Sequence, residues 1–196
     1  RLHGLSATME AEITAFVRTA LVALAALLPI TNPPGNAPIF LALTRSMDEP
    51  GRRAMARRVG LNCLVLLVAA AYVGNYVLAF FDISLAVVRV GGGLLVAATA
   101  WRLLAAEGEA GGDAPGATRQ SSPEEVAGRA FYPLSFPITV GPGSISIAIT
   151  LGASLPSQGA ARLWSSLGLA AGIWVAAAAI WLAYRYASRM VRLLGP

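Results

Sequence analysis

The chain contains no lysine: all 15 of its cationic residues are arginine. Acids are also few, and none follows Glu125 in a chain of 196 residues. Charged residues make up 13% of the sequence and hydrophobic residues 56%, whereas a soluble domain carries roughly 25% charged residues. This composition indicates a membrane protein. It gives no support to nucleic-acid binding, since the arginines are better explained as determinants of membrane orientation.

Cysteine and histidine occur once each, as Cys63 and His3. A single cysteine excludes an internal disulfide. One cysteine and one histidine also give little support to a zinc site, a haem site or a Cys–His nucleophile. We therefore predict no catalytic residue, no metal site and no resident cofactor, and a protein that is not an enzyme. Proton-coupled carriers usually titrate an intramembrane acid or histidine. No acid or histidine falls in the central part of any predicted span. Sodium coupling or uncoupled movement therefore fits better than proton coupling, and the coupling ion, Na+ or H+, is left undecided at this point.

Five apolar regions have the roughly 20 residues that a membrane-spanning helix needs. They lie at about 13–43, 59–81, 85–104, 130–153 and 163–184. The predicted fold is all-α, a polytopic membrane helix bundle. Residues 105–129 are rich in Gly, Ala, Pro, Ser and Glu, which predicts a flexible linker; an ordered functional loop is the alternative.

A motif of the form Pro-Ile-Thr-x-x-Pro-Gly interrupts two of these regions, at 29–36 and at 137–144. Five of the eight positions are identical, at an offset of 108 residues. Proline and glycine break helices, and lipid penalises unpaired backbone groups. Matched breaks in two halves of a chain point to a transporter's binding site. We therefore predict that the first and fourth spans are each two half-helices joined by unwound backbone.

The arginines predict an orientation with the N-terminus outside and residue 196 in the cytoplasm. Eleven of them fall on the predicted inner side: Arg45, Arg52, Arg53, Arg57, Arg58, Arg102, Arg119, Arg129, Arg185, Arg189 and Arg192. About three fall on the other side. An alternative use for the group from Arg52 to Arg58 is a lipid-phosphate patch.

This orientation makes the two broken spans cross the membrane in opposite directions, which predicts inverted repeats of three spans each. The first repeat covers 13–104 and the second 130–196. The second repeat has only two spans within the sequence. We expect a C-terminally shortened six-span protein, and a genuine five-span protein is the alternative.

Half-helix ends expose N–H and C=O groups with partial charges, and these can hold a small ion or zwitterion. Short polar residues and glycines surround both breaks. We predict that they form one shared site near mid-membrane, suited to an amino acid such as alanine, glycine or serine. The alternative is that the breaks serve packing only. The candidate substrate-binding residues are Thr31, Asn32, Gly35, Asn36, Thr139, Gly141, Gly143 and Ser144.

Three stretches, 32–40, 136–145 and 89–92, resemble the MarC family of integral membrane proteins. That resemblance implies six spans in two inverted repeats and a bacterial inner-membrane location. It also implies kinship with small neutral amino-acid transporters and with the lysine-exporter-like group. It would place substrate at the unwound segments 31–36 and 139–144. The expected function is a secondary transporter working by alternating access. The expected partners are the bilayer and a small zwitterion, and a second copy of the chain is a further candidate. A non-transporting membrane scaffold or sensor is the alternative.

Overall fold

The computed structural model describes residues 2–84 and 130–194, together with 86–88, 90, 91, 93, 94, 97, 98, 101 and 128. The chain is helical through most of these ranges, and no strand occurs within them. The all-α prediction is therefore confirmed. The predicted linker 105–129 lies outside the described residues apart from Gly128, and so does half of the third predicted span, including Arg89 and Gly92.

Six α-helices and one π-helical segment make up the described fold. They are α1 (Leu2–Thr31), α2 (Pro33–Leu43), α3 (Glu49–Phe80), the π segment (Ala130–Thr139), α4 (Pro142–Ala153), α5 (Gly159–Arg185) and α6 (Ala187–Leu194).

Three helices are long and apolar enough to cross a membrane alone: Thr8–Thr31 within α1, all of α3 and all of α5. The π segment and α4, bent by 71° relative to each other, make a fourth if the pair is one span. Four of the five predicted spans thus fall on described residues, and each corresponds to an apolar helix or helix pair. The chain is a multi-pass membrane protein.

Helix α3 starts earlier than the hydrophobic pattern predicts. The Asp48 side chain accepts a hydrogen bond of 3.0 Å from the Gly51 N–H and so caps the helix, and Pro50 lies in the first turn, where its missing N–H costs nothing. Arg52, Arg53, Arg57 and Arg58 all precede the predicted second span, which begins at about residue 59. They lie on the first turns of α3.

The first break lies within the predicted segment but is shorter than predicted. Pro29 lies inside α1 and Pro38 inside α2, and between these helices only Asn32 leaves the helical conformation, with φ 37° and ψ 61°. A single proline inside a membrane helix is tolerated because neighbouring groups satisfy the freed carbonyl. Consequently α1 reaches full span length before the break, and α2 adds a short helix of 11 residues.

Glycines allow the helices to pack with their backbones close together. On α5, a Cβ added to Gly168 would lie 2.3 Å from the Phe16 carbonyl oxygen of α1. On α4, a Cβ added to Gly152 would lie 1.7 Å from the Ala71 carbonyl oxygen of α3. Both helices of the first half therefore pack directly on helices of the second half.

Candidate functional site

The first break, at Asn32, has no free N–H group at the start of α2. The Asn32 Oδ1 accepts from the Gly35 N–H at 3.2 Å, and the Asn32 carbonyl accepts from the Asn36 N–H at 3.1 Å. The two residues before Gly35, Pro33 and Pro34, have no N–H at all. All four donors that a helix start normally leaves unpaired are thus absent or bonded. The start of α2 therefore has no backbone N–H group available to bind a carboxylate.

The carbonyl groups of the first break are more available. Because Pro33 and Pro34 lack N–H groups, the carbonyls of Pro29 and Ile30 have no helical donor four residues ahead. The Thr31 hydroxyl is buried and donates back to the Leu27 carbonyl at 2.9 Å. The first break therefore presents acceptors, and its Thr31 hydroxyl is already engaged.

The π segment leads into the second break. Its hydrogen bonds connect residues five apart: the Ser135 hydroxyl donates to the Ala130 carbonyl at 2.6 Å, and the Val140 N–H donates to the Ser135 carbonyl at 2.9 Å. Tyr132 and Phe136 have extended backbone, as residues before proline prefer. Sequence analysis predicted a half-helix before the break and did not anticipate this five-residue hydrogen-bond spacing.

The second break, at Val140 and Gly141, leaves the start of α4 open. Gly141 has no side chain that could cap the helix, and Pro142 has no N–H. The N–H groups of Gly143 and Ser144, in the first turn, therefore have no side-chain cap. Ser144 is only 2% exposed, and no hydrogen bond of its hydroxyl is found within the described residues. The two breaks thus differ, because the second one presents donors.

Asn36 connects the two breaks through its side chain. Its Nδ2 donates to the Thr31 carbonyl at 2.9 Å and to the Ile138 carbonyl at 3.3 Å. Both acceptors lack their usual helical partner: Pro142, four residues after Ile138, has no N–H, and the Gly35 N–H is bonded to Asn32 instead. We call these two hydrogen bonds the Asn36 bridge. They use both amide hydrogens, and the Oδ1 atom is left as an acceptor.

Tyr184, near the end of α5, joins the same cluster. Its hydroxyl lies 2.6 Å from the Thr139 Oγ1, and its ring stacks on Phe40 of α2 with centroids 4.6 Å apart. The Thr139 hydroxyl donates its one hydrogen to the Leu134 carbonyl at 2.6 Å, so Tyr184 is the donor to Thr139. Sequence analysis missed Tyr184, because an aromatic residue at the end of a span is normally explained as an interface residue.

The structure brings some of the eight predicted residues together and leaves others apart. Thr31, Asn36 and Thr139 belong to the meeting point of the breaks, and Ser144 is buried in the first turn of α4. Asn32 and Gly35 are exposed. The meeting point lies at the level of Tyr184, next to the end of α5 at Arg185. It is therefore near the arginine-rich end of α5.

Two further observations limit the chemistry. A groove of about 750 Å³ beside the first break is lined almost entirely by apolar groups, among them Pro33, Pro34 and Leu182, so it does not suit a zwitterion. Within the described residues no three His, Cys, Asp or Glu side chains come together as metal ligands. What the breaks offer is backbone donors at one site, acceptors at the other, and a few hydroxyl and amide groups.

Comparison with known proteins gives a consistent result. The family described as MarC family integral membrane protein matches residues 16–196. The chain is 30% identical over 175 residues to the UPF0056 inner membrane protein MarC of Salmonella typhimurium, covering 88% of this chain and 79% of that protein. It is 34% identical over 127 residues to the UPF0056 membrane protein YvbG of Bacillus subtilis, covering 65% of this chain and 60% of that one. No solved structure matches.

Proposed function

Because the chain belongs to the MarC family of integral membrane proteins, we propose that it is a secondary transporter of small neutral amino acids that works by alternating access. The observation that carries this proposal is the Asn36 bridge, which joins two helix breaks 102 residues apart in the sequence. Relatives are named inner membrane proteins, and we propose the same location, with the N-terminus outside, residue 196 inside and the two halves arranged as inverted repeats.

The substrate carboxylate binds at the start of α4. The uncapped N–H groups of Gly143 and Ser144 lie at the positive end of the helix dipole, where an anion is stabilised without a charged side chain. The buried Ser144 hydroxyl has no other partner within the described residues and adds one donor. A bulky substrate side chain would have to displace Val140, which is fully buried beside this turn. This favours alanine, glycine or serine over larger amino acids.

The substrate ammonium group binds at the first break, where acceptors predominate. The Asn36 Oδ1 is the side-chain acceptor, and the carbonyls of Pro29 and Ile30 have no helical donor because prolines follow them. No Asp or Glu occurs between Glu12 and Asp48 or after Glu125. The same carbonyls and hydroxyls therefore suit a sodium ion better than a proton as the coupling ion, and uncoupled movement fits equally well.

Opening of the site requires the Asn36 bridge to break. While it is intact, α2 is held against the π segment, and the stacking of Tyr184 on Phe40 supports the same contact. A substrate that donates to the Ile138 carbonyl would replace the amide of Asn36 at little cost, since one hydrogen bond substitutes for another. Substrate binding and separation of the two breaks are thereby coupled.

The test is counterflow of labelled alanine, glycine or serine into liposomes that contain the full chain. Ser144→Ala removes the hydroxyl but keeps the backbone, so we expect roughly tenfold weaker apparent affinity, as for the loss of a hydrogen bond to a charged group. Ser154→Ala is the matched control, because Ser154 follows the other end of α4 and its hydroxyl is bonded to the Thr150 carbonyl.

Folded protein that gives no counterflow of any of the three amino acids would contradict the transporter and favour the scaffold or sensor. Uptake driven by a pH gradient and indifferent to sodium would retain the transporter but overturn the sodium preference.

A further inference from the structure

A polar pocket lies where the start of α3 meets the junction of α5 and α6. Its volume is about 190 Å³, and its lining is Glu49, Arg53, Arg185, Tyr186, Ser188 and Arg189. Three guanidinium groups therefore face one carboxylate, and Glu49 is already paired with Arg53 one helical turn away. The pocket carries net positive charge, and it takes no part in the proposed transport site.

Aromatic rings hold two of these arginines in place. The Arg185 guanidinium carbon lies 5.4 Å from the centre of the Trp181 ring and 5.8 Å from that of Tyr186. The Arg189 guanidinium carbon also lies 5.8 Å from the centre of the Tyr186 ring. Such cation–π contacts orient a guanidinium without neutralising it, so its N–H groups stay available to a phosphate, which arginine binds in a two-pronged geometry.

An apolar groove of about 330 Å³ lies between α3 and α5, and Trp181 in its lining contacts Arg185 of the pocket. One end lies at Arg57 and Trp181, near the pocket, and the other at Leu64 and Trp174, deeper along both helices. Between these ends the groove is lined by Gly60, Leu61, Ala177 and Ala178. Its lining is almost wholly apolar apart from Arg57, which lies one turn beyond Arg53 on the same face of α3.

We propose that the pocket and groove together bind one anionic phospholipid of the surrounding bilayer. The phosphate lies among Arg53, Arg185 and Arg189, and an acyl chain follows the groove from Trp181 toward Trp174. Charge selects this occupant: a choline or similar cationic headgroup would bring a positive charge against the arginines, whereas phosphatidylglycerol brings only the negative phosphate. A soluble phosphate would use the pocket but has no need of the groove.

The experiment is native mass spectrometry of the full chain, released from micelles containing either phosphatidylglycerol or phosphatidylcholine. We expect phosphatidylglycerol to be retained at least tenfold more. The double variant Arg185→Gln/Arg189→Gln should reduce that retention roughly tenfold or more, because it removes two of the three cationic groups that attract the phosphate. Arg162→Gln is the matched control at the other end of α5, where that arginine donates to loop carbonyls.

A second variant, Ala178→Phe, fills the groove and leaves every charge in place. It should weaken lipid retention severalfold while thermal stability stays near that of the parent chain. Equal retention of the two lipids would overturn the proposal, as would an Arg162→Gln effect as large as that of the double variant. Binding of inorganic phosphate that competes with the lipid and is unaffected by Ala178→Phe would assign the pocket to a soluble anion and also overturn it.

Discussion

The Asn36 amide donates to the Ile138 carbonyl at a distance of 3.3 Å, and this contact joins the two copies of the repeated motif. Proline makes the contact possible, because Pro142 cannot supply the N–H that a helix would offer to Ile138. A proline at a break can therefore act in two ways: it interrupts its own helix, and it frees an acceptor for a partner from the other half. This second effect gives the Asn36 bridge its position.

Asn36→Leu keeps the size of the side chain and removes both donors, so the Thr31 and Ile138 carbonyls lose their partner. We expect a loss of unfolding free energy of about 1–3 kcal/mol, the usual cost of leaving a buried polar group unpaired. Thermal unfolding in detergent, followed by circular dichroism, measures it. Asn62→Leu is the control, since this half-buried amide on α3 makes no hydrogen bond within the described residues. A comparable loss in both variants would contradict a specific role for the bridge.

Tyr184 and Thr139 should show coupled energetics. Tyr184→Phe removes the hydroxyl while retaining the stack on Phe40, and Thr139→Val removes the acceptor. Each single change should cost about 1 kcal/mol, and the double variant should cost less than the sum, with a coupling energy of about 0.6–1.7 kcal/mol as found for hydrogen bonds between membrane helices. Additive losses would show that the 2.6 Å contact does not stabilise the fold. The exposed Tyr76→Phe serves as the reference.

Gly152→Ala tests the backbone contact between α3 and α4. The added methyl group would lie 1.7 Å from the Ala71 carbonyl oxygen, so the helices must separate, and we expect a cost of about 3 kcal/mol or more. Gly91→Ala makes the same chemical change where nothing lies within 4 Å, and it should leave stability unchanged or slightly raised. The measurement is the melting temperature of each purified variant. A tolerated Gly152→Ala would mean that α3 and α4 are not in backbone contact.

Cys63 offers a readout of movement in the π segment. It is fully buried on α3, and its thiol contacts the Ser135 side chain of the π segment. In the folded protein we expect N-ethylmaleimide to label Cys63 at least a hundredfold more slowly than a cysteine placed at the exposed Ser157 in a Cys63→Ala background. If substrate separates the π segment from α3, alanine or glycine should accelerate labelling of Cys63. Fast labelling without substrate would contradict the packing of the two elements.

Much of the fold could be predicted from sequence because membrane spans depend on long apolar runs, and those are visible in the residues. The positions of the two breaks were predicted to within a few residues for the same reason. The lengths of the breaks were not predicted correctly. Pro29 and Pro38 look like breakers in the sequence, but they are absorbed into helices, and only the donor-less pair Pro33–Pro34 with a left-handed Asn32 ends α1. The start of α3 was missed because its capping residues are polar and precede the hydrophobic run.

The site was harder to predict, because it depends on which donors are already used. Gly35 and Gly143 occupy equivalent motif positions, yet the Gly35 N–H is bonded to Asn32 while α4 has no side-chain cap. The difference arises at the residue before each helix: Asn32 precedes α2 and accepts a hydrogen bond with its side chain, whereas Gly141 precedes α4 and has no side chain. Tyr184 could not be found from either motif, because only the packing of α5 brings it to Thr139.

The way glycines pair the helices has a bearing on how the protein is made. During synthesis α1 and α3 are made first, and the surfaces that fit them, around Gly152 on α4 and Gly168 on α5, are made later. Helices α1 and α3 are therefore inserted into the lipid before their packing partners exist. The bundle can assemble only after α5 has left the translocon. Either half produced alone should be inserted but remain unassembled.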